Sequence, residues 1–385
     1  MGKRRNAEPG LPLPIAEGVH LCIPPNVYFE AQAIGSSDLK TLYWQPESWW
    51  LQSWANLRRR GKFKGTARKS HFELGDALHT LVLEGEDVFS RRYVLEPDEE
   101  DGKWIRTPQD AKRVLQDKGV DTAGVYGPDL ERLARRHGLA NHYWKIAAAE
   151  FDRAQKAGRP SLTEDQAARV RFTAHLITSH PELGPALCGP GGLSEVAVFW
   201  HRPEDPDTLM RAKFDRLRPG RMLDLKSLSN WRGKDRDGAI RDTIEQNEYG
   251  IQRRLYQGEA FAAFQEAVRD GRIYFWAEDG EPARPRAADR ELLEAIAAKP
   301  TTWVWVFAQL RNEAAGNERA AGVASRWLKP EGRIWEEAGQ KIEEALENFR
   351  RLRGEFGLSQ EWAFIDETKE LIDSDIRSRT KQEIR

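Results

Sequence analysis

The stretch Leu209-Met-Arg-Ala-Lys-Phe-Asp215-Arg-Leu-Arg-Pro-Gly-Arg-Met-Leu-Asp224-Leu-Lys226-Ser decides how the remainder of the chain is understood. Residues 209–217 and 222–227 have the composition of strands, and Pro219-Gly220 supplies the turn between them. A loop symmetric about that turn pairs Leu217 with Met222 and sets Asp215 opposite Asp224. Directly opposed residues project to the same sheet face, with Cβ atoms about 5 Å apart. Side chains alternate along a strand, so Lys226 is expected on the face of Asp224, with Leu223 and Leu225 on the other. Two facing carboxylates repel, and one takes up a proton unless a cation lies between them. The pattern therefore predicts a site for a hard divalent cation, Mg²⁺ or Mn²⁺, beside a phosphodiester. A solvated hairpin carrying the same charges is the plainer reading. Against it stand the apolar Met222, Leu223 and Leu225 and the preceding run Glu195-Val-Ala-Val-Phe-Trp200, which together predict an interior sheet.

A chain of 385 residues holds one large domain or two ordinary ones. Its formal net charge of −1 gives no global basic field, so contact with nucleic acid must come from local patches. Two cysteines, Cys22 and Cys188, are too few for a disulfide framework or a four-cysteine cluster, and the expected setting is cytoplasmic. No apolar run reaches about 18 residues, so neither a membrane span nor a membrane partner is expected. The basic start Met1-Gly-Lys-Arg-Arg is followed by no signal-peptide core.

Prolines at 9, 12, 14, 24 and 25 make residues 1–35 an expected extended arm. Ser36-Ser-Asp-Leu-Lys caps a short helix to Trp44, and Pro46–Trp54 continues helically. Residues 72–83 form an expected buried helix containing His79, and 98–160 a polar helical elaboration. Ser161-Leu-Thr-Glu164 fits a capping box opening a helix to Thr178. Strands are expected at 194–200, 209–217 and 222–227, then one long helix over 239–269, an insertion over 279–300, and a continuous apolar strand over 302–310. A further strand at 321–328 and a helix over 335–352 complete a single domain spanning 36–365, with a charged tail at 366–385. The order predicts an α/β fold, a central mixed sheet flanked by helices, with a helical N-terminal part and insertions.

Other residues join the hairpin. Gln252 and Tyr256 lie four apart on the expected long helix and so share a face, which Tyr249 and Glu259 also occupy. An ordinary amphipathic helix with a solvated polar flank is the plainer reading of such a face. His79 stands in Gly75-Asp-Ala-Leu-His79, and a histidine in an apolar helix is more often a core residue than a ligand. Neutral imidazole is nevertheless a sound partner for Mn²⁺ beside carboxylates. Arg58, Arg59, Arg60, Lys62 and Lys64 interleave with Trp54 and Phe63, a pattern suited to phosphate contact with stacking. Arg232 and Lys234 leave the strand that carries Lys226 and are expected beside the same phosphate.

Taken in order, Glu195, Asp215, Asp224-Leu-Lys226 and Gln252-x-x-x-Tyr256 resemble the PD-(D/E)XK nuclease superfamily, with the glutamine–tyrosine element similar to its RecB-type branch. Upstream, Ser37-Asp-Leu-Lys, Pro46, Gly75-x-Ala77-x-His79 and Leu83-Glu-Gly85 resemble the RecE group, the exodeoxyribonuclease VIII type of phage and prophage. The resemblance covers roughly residues 36–95 and 162–256, and it is the ordered set that is specific. It implies a restriction-endonuclease-like core. It implies that His79, Asp215, Asp224 and the Leu225 carbonyl hold Mg²⁺ or Mn²⁺, and that Lys226 stabilises the attacking water or the phosphate charge. Glu195 would sit behind these ligands or on a second metal, and Gln252 and Tyr256 would position the scissile strand. The implied activity is exonucleolytic removal of one strand from double-stranded DNA ends, leaving a 3′ tail. The implied partners are a single-strand annealing protein and further copies of the chain in a homo-oligomer. A DNA endonuclease of the same superfamily and a non-catalytic DNA-binding descendant are the alternatives, and the cysteine count disfavours the iron–sulfur CRISPR-adaptation type. The long segments 98–160 and 279–300, and Asp76 beside His79, depart from the pattern.

Overall fold

A computed structural model describes residues 15–56, 70–98, 104–139, 142–228, 230, 233–276, 282–283, 287–312 and 318–362. Arg58, Arg59, Arg60, Lys62, Lys64 and Arg232 lie outside the described residues. The chain begins with β1 (Gly18–Leu21), α1 (Pro25–Glu30), α2 (Ser36–Trp44) and α3 (Pro46–Gln52). Helix α4 (Ser70–His79) runs into a π-helical turn, Thr80–Glu84, before α5 (Glu86–Arg92) and β2 (Val94–Leu95). The elaboration holds α6 (Pro108–Asp117), α7 (Gly127–Arg136) and α8 (Trp144–Lys156). Then come β3 (Ser161–Leu162), α9 (Glu164–Thr178), α10 (Leu183–Leu187), β4 (Leu193–Arg202), β5 (Asp205–Arg218) and β6 (Arg221–Ser227). Helices α11 (Arg236–Gln246) and α12 (Tyr249–Leu255), a π turn at Tyr256–Ala260, and α13 (Phe261–Arg269) follow. The last elements are β7 (Ile273–Trp276), β8 (Pro282–Ala283), α14 (Ala287–Ala297), β9 (Thr302–Gln309), β10 (Gly322–Leu328) and α15 (Arg333–Phe356).

The fold is α/β. Eight strands form one mixed sheet in the order β10-β9-β6-β5-β4-β1-β7-β8. Strands β4, β5 and β6 are antiparallel, whereas β6 pairs β9 and β1 pairs β7 in parallel. Helices cover both faces. On one, Val196, Val198, Ala212, Phe214 and Met222 pack with Leu39 of α2, Ile251 of α12, Phe264 of α13 and Leu346 of α15. On the other, Leu223 and Leu225 pack with Ala77 and Leu78 of α4 and Val170 and Ile177 of α9. Strand β9 lies between the two layers. Trp303, Trp305 and Phe307 join the first core and Val306 and Ala308 the second, which explains why its sequence is apolar without alternation. The elaboration carries a small core of its own, including Leu115, Leu130 and Ala134.

Several expectations are corrected. Residues 18–21 are not part of an extended arm but an interior strand, hydrogen-bonded to β4 on one side and β7 on the other. The capping box is shifted by two residues: Thr163 caps α9 and Gln166 returns the bond, while Ser161 belongs to β3. The long helix is broken, because Glu248 takes a left-handed backbone conformation with φ of 48° between α11 and α12. Strand β7 falls where no strand was expected.

Candidate functional site

The hairpin register is as expected near its turn. Arg218 pairs Arg221, Leu217 pairs Met222 and Arg216 pairs Leu223, and there the ladder stops. On the other side of β5 the register runs from Leu217–Leu193 and Arg216–Ser194 to Phe214–Val196, skipping Asp215 and Glu195. Glu195 has φ of 54°, a left-handed conformation that costs a side-chain-bearing residue about 1–2 kcal/mol. The kink changes the alternation, so that Leu193 and Val196, three apart, both face the first core. Asp215 therefore sits where the sheet opens on both of its sides. Its Oδ2 accepts the Leu225 N–H at 2.8 Å, replacing a ladder bond with a side-chain bond.

The directly opposed, same-face pair expected at positions 215 and 224 is corrected accordingly. Asp215 lies 3.6 Å from Nδ1 of His79, which α4 brings from one face of the sheet. Asp224 accepts a 2.9 Å bond from Nε2 of Gln252, on α12 at the opposite face. The close approach of α4 has a local cause. Gly75 lies one turn before His79, and a Cβ there would stand 3.2 Å from Oγ of Ser227 on β6.

Lys226 completes the group. Its Nζ donates to Oδ1 of Asp224 at 2.8 Å and lies over the Tyr249 ring, 5.1 Å from its centre. Asp224 is 2% exposed, and its Oδ2, although 2.8 Å from Nζ, accepts no hydrogen bond. Burial pushes Asp224 up to about 6, against the pull of Lys226 and with the help of Asp215. Asp215 is also raised, by burial first, with Lys226 opposing and Glu195 adding to the rise. Burial would lower Lys226, but Asp224 and then Asp215 outweigh it and hold the ammonium well above the usual lysine range. Burial and the Lys226 charge push His79 down to about 4, so its imidazole is neutral at physiological pH, and its ring hydrogen-bonds the Leu225 backbone.

This donor set fits a divalent cation. His79, Glu195 and Asp215 each offer a ligand atom within 4.8 Å of the others. Asp224 is not in that cluster, but its unbonded, buried Oδ2 is the kind of atom a cation satisfies. A neutral imidazole with carboxylate oxygens suits Mn²⁺ and is compatible with Mg²⁺.

The remaining predicted residues fall into different places. Glu195 is ion-paired to Lys213, a residue with no signal of its own beyond its place two before Asp215. Tyr256 is buried against Phe214 and Trp303, and its hydroxyl accepts the Lys213 N–H at 3.3 Å. It braces β5 at the opening rather than projecting into open space. Glu259, expected on the same face, pairs instead with Arg202. Lys234 is tied to Asp242. Lys40 on α2, the last residue of the quoted Ser37-Asp-Leu-Lys stretch, was given no role of its own, yet its Nζ lies 5.0 Å from the Tyr249 ring centre. No family model matches the chain, and no curated protein matches it. No helix among the described residues is long and apolar enough to cross a membrane.

Proposed function

We propose that the chain is a divalent-metal-dependent deoxyribonuclease that removes one strand from the ends of linear double-stranded DNA. One observation carries the reading: where the sheet opens, His79, Glu195 and Asp215 converge to within 4.8 Å of one another, beside a buried Asp224 bonded to a charged Lys226, and both aspartates have raised pKa. Such a group is costly to bury for structural ends alone, and perturbed titration of clustered residues is a mark of function.

Asp215, His79 and Glu195 would hold the cation, with Asp224 and the Leu225 carbonyl beside them. When bound, a divalent ion supplies charge neutralisation at the phosphate and a more acidic water. The chain's own residues do the remainder. Gln252 fixes Asp224 through Oδ1, and Oδ2, which accepts no hydrogen bond although the Lys226 ammonium is 2.8 Å away, would be the oxygen shared with the cation. Lys226, kept protonated by Asp224, presents a permanent positive charge to the water and to the phosphoryl oxygens as negative charge grows there. Tyr256 and the Glu195–Lys213 pair keep β5 at the spacing this requires. A 3′ tail, an annealing partner, a ring-like homo-oligomer and a cytoplasmic setting are part of the proposal through the resemblance alone.

End-labelled linear duplex and a covalently closed circle, each incubated with Mg²⁺, test the reading. Loss of the linear substrate only is expected. Cutting of the circle would replace the exonuclease with an endonuclease, and binding without cleavage of either would leave a DNA-binding descendant. Asp224→Ala is expected to abolish cleavage while DNA is still bound, and retained cleavage would remove Asp224 from the site.

A further inference from the structure

Beyond the residues that act on the scissile phosphate, a row of cations and rings leads away from it. Tyr249 has Lys226 over its ring at 5.1 Å and Lys40 at 5.0 Å. The other lysines nearby have carboxylate partners: Asp224 for Lys226, Glu195 for Lys213 and Glu248 for Lys341. Among the described residues, Lys40 has none at ion-pairing distance. Its half-buried ammonium shares the Tyr249 ring with Lys226, and burial first, then that like charge, lower its pKa to about 8 against the opposing pull of Asp224 and Glu248. A partly desolvated cation beside a second cation is unfavourable until an anion arrives.

One turn further along α2 stands Trp44. Residues four apart share a helix face, so Trp44 continues the line from Lys40. The residue is 60% exposed, although Tyr43 meets its ring edge-on at 5.0 Å and Lys341 lies 5.7 Å from the ring centre. The indole is thus held in place while presenting a large open surface.

We propose that Lys40, Tyr249 and Trp44 form a subsite for the nucleotide next to the scissile phosphate in an unpaired strand, with Lys40 on its phosphate and Trp44 stacked on its base. The proposal rests on the nuclease reading for the word scissile, and adds to it that the strand enters single. An indole face stacks on a base face left uncovered, as on a strand drawn away from its partner, and it does so with any base. Lys40 supplies the charge and Tyr249 the fixed surface between it and Lys226.

Anisotropy of a labelled single-stranded oligodeoxynucleotide, read in EDTA so that nothing is cut, tests this with the full chain. Lys40→Gln and Trp44→Ala are each expected to weaken binding about tenfold, within the range for one lost stacking contact. Lys40→Gln should also flatten the salt dependence by about 0.7, the share of one single-strand phosphate. Trp44→Ala should leave that slope alone, and Trp44→Phe should restore affinity. Unchanged binding in both variants, or an equal loss for Trp44→Ala on a closed hairpin duplex, would overturn the subsite. Cleavage is measured in parallel with Mg²⁺. Binding that depends on Lys40 and Trp44 without any cleavage would remove the nuclease reading and keep the subsite. Cleavage with binding indifferent to both would do the reverse.

Discussion

The carboxylate of Asp224 ties stability, pH and metal together. It is 2% exposed, and its pKa is about 6 in the folded chain against the ordinary 3.8. A folded pKa above the unfolded one means that the protonated form is favoured by folding. The contribution is complete below pH 3.8 and is lost as pH rises to about 6. The loss is about 3 kcal/mol, at 1.36 kcal/mol for each pKa unit. For a chain of this length that corresponds to about 4 °C in melting temperature. Metal-free protein at pH 8 should therefore carry an unrelieved cost, and a saturating divalent cation should remove it. At pH 5 the carboxylates hold their protons, and the same cation should do little. The assay is thermal denaturation of EDTA-treated protein with and without Mg²⁺ or Mn²⁺, at pH 8 and pH 5. Taking the difference at each pH cancels every group that the cation does not touch. Asp215→Asn keeps an oxygen for the Leu225 N–H and removes a ligand charge, so the cation-dependent shift should largely disappear in that variant. A shift of equal size at both pH values, or one that survives in Asp215→Asn, would refute the reasoning.

His20 should titrate with the opposite sign. Its Nδ1 accepts from Trp276 and its Nε2 donates to Ala16, so both ring nitrogens are committed in the neutral form, and burial lowers its pKa to about 4. Its stability contribution is present above pH 6.5 and is lost as pH falls. Between pH 7.5 and 5 that is about 2 kcal/mol, and urea titrations of His20→Gln should lack it; an identical pH dependence would count against it. Gly75→Ala should cost about 1–3 kcal/mol by forcing α4 from Ser227, and Ser227→Gly should rescue both stability and cleavage; failure of rescue would place the clash elsewhere. Gln252→Leu should raise the Mg²⁺ concentration needed for half-maximal cleavage by 10- to 100-fold, as expected when a residue orienting a ligand is removed, and an unchanged Mg²⁺ curve would deny it that role.

The hairpin was legible because two independent local signals agreed: a Pro-Gly turn and apolar residues at strand spacing fixed Leu217 against Met222. Strand β9 was legible as a run buried on both faces. What escaped had no local signature. Glu195 adopts a left-handed backbone without being glycine or asparagine, so the kink that opens the sheet is invisible in its residue type. Extending the register past that kink put both aspartates on one face, whereas they are gripped by helices on opposite faces. Glu248 broke the expected long helix for the same reason. Strand β1 was hidden by its brevity and by the prolines around it. Lys40 is one lysine on one helix, and only packing reveals that it looks at Tyr249.

The position of β1 has a consequence for how the molecule is made. Strands β4, β5 and β6 are neighbours in sequence and can form by short loop closures. Strand β1 pairs through His20–Ala197 on one side and His20–Tyr274 on the other, partners far along the chain. Closing such long loops is slow, and during synthesis from the N-terminus β1 emerges well before either partner. An interior position of the sheet is thus filled by a segment made before both of its partners and seated after them. The antiparallel strands that carry Glu195, Asp215, Asp224 and Lys226 can assemble before it, leaving an open edge on β4 for that interval. Refolding that starts from β4–β6 and ends with the insertion of β1 is the order this topology favours.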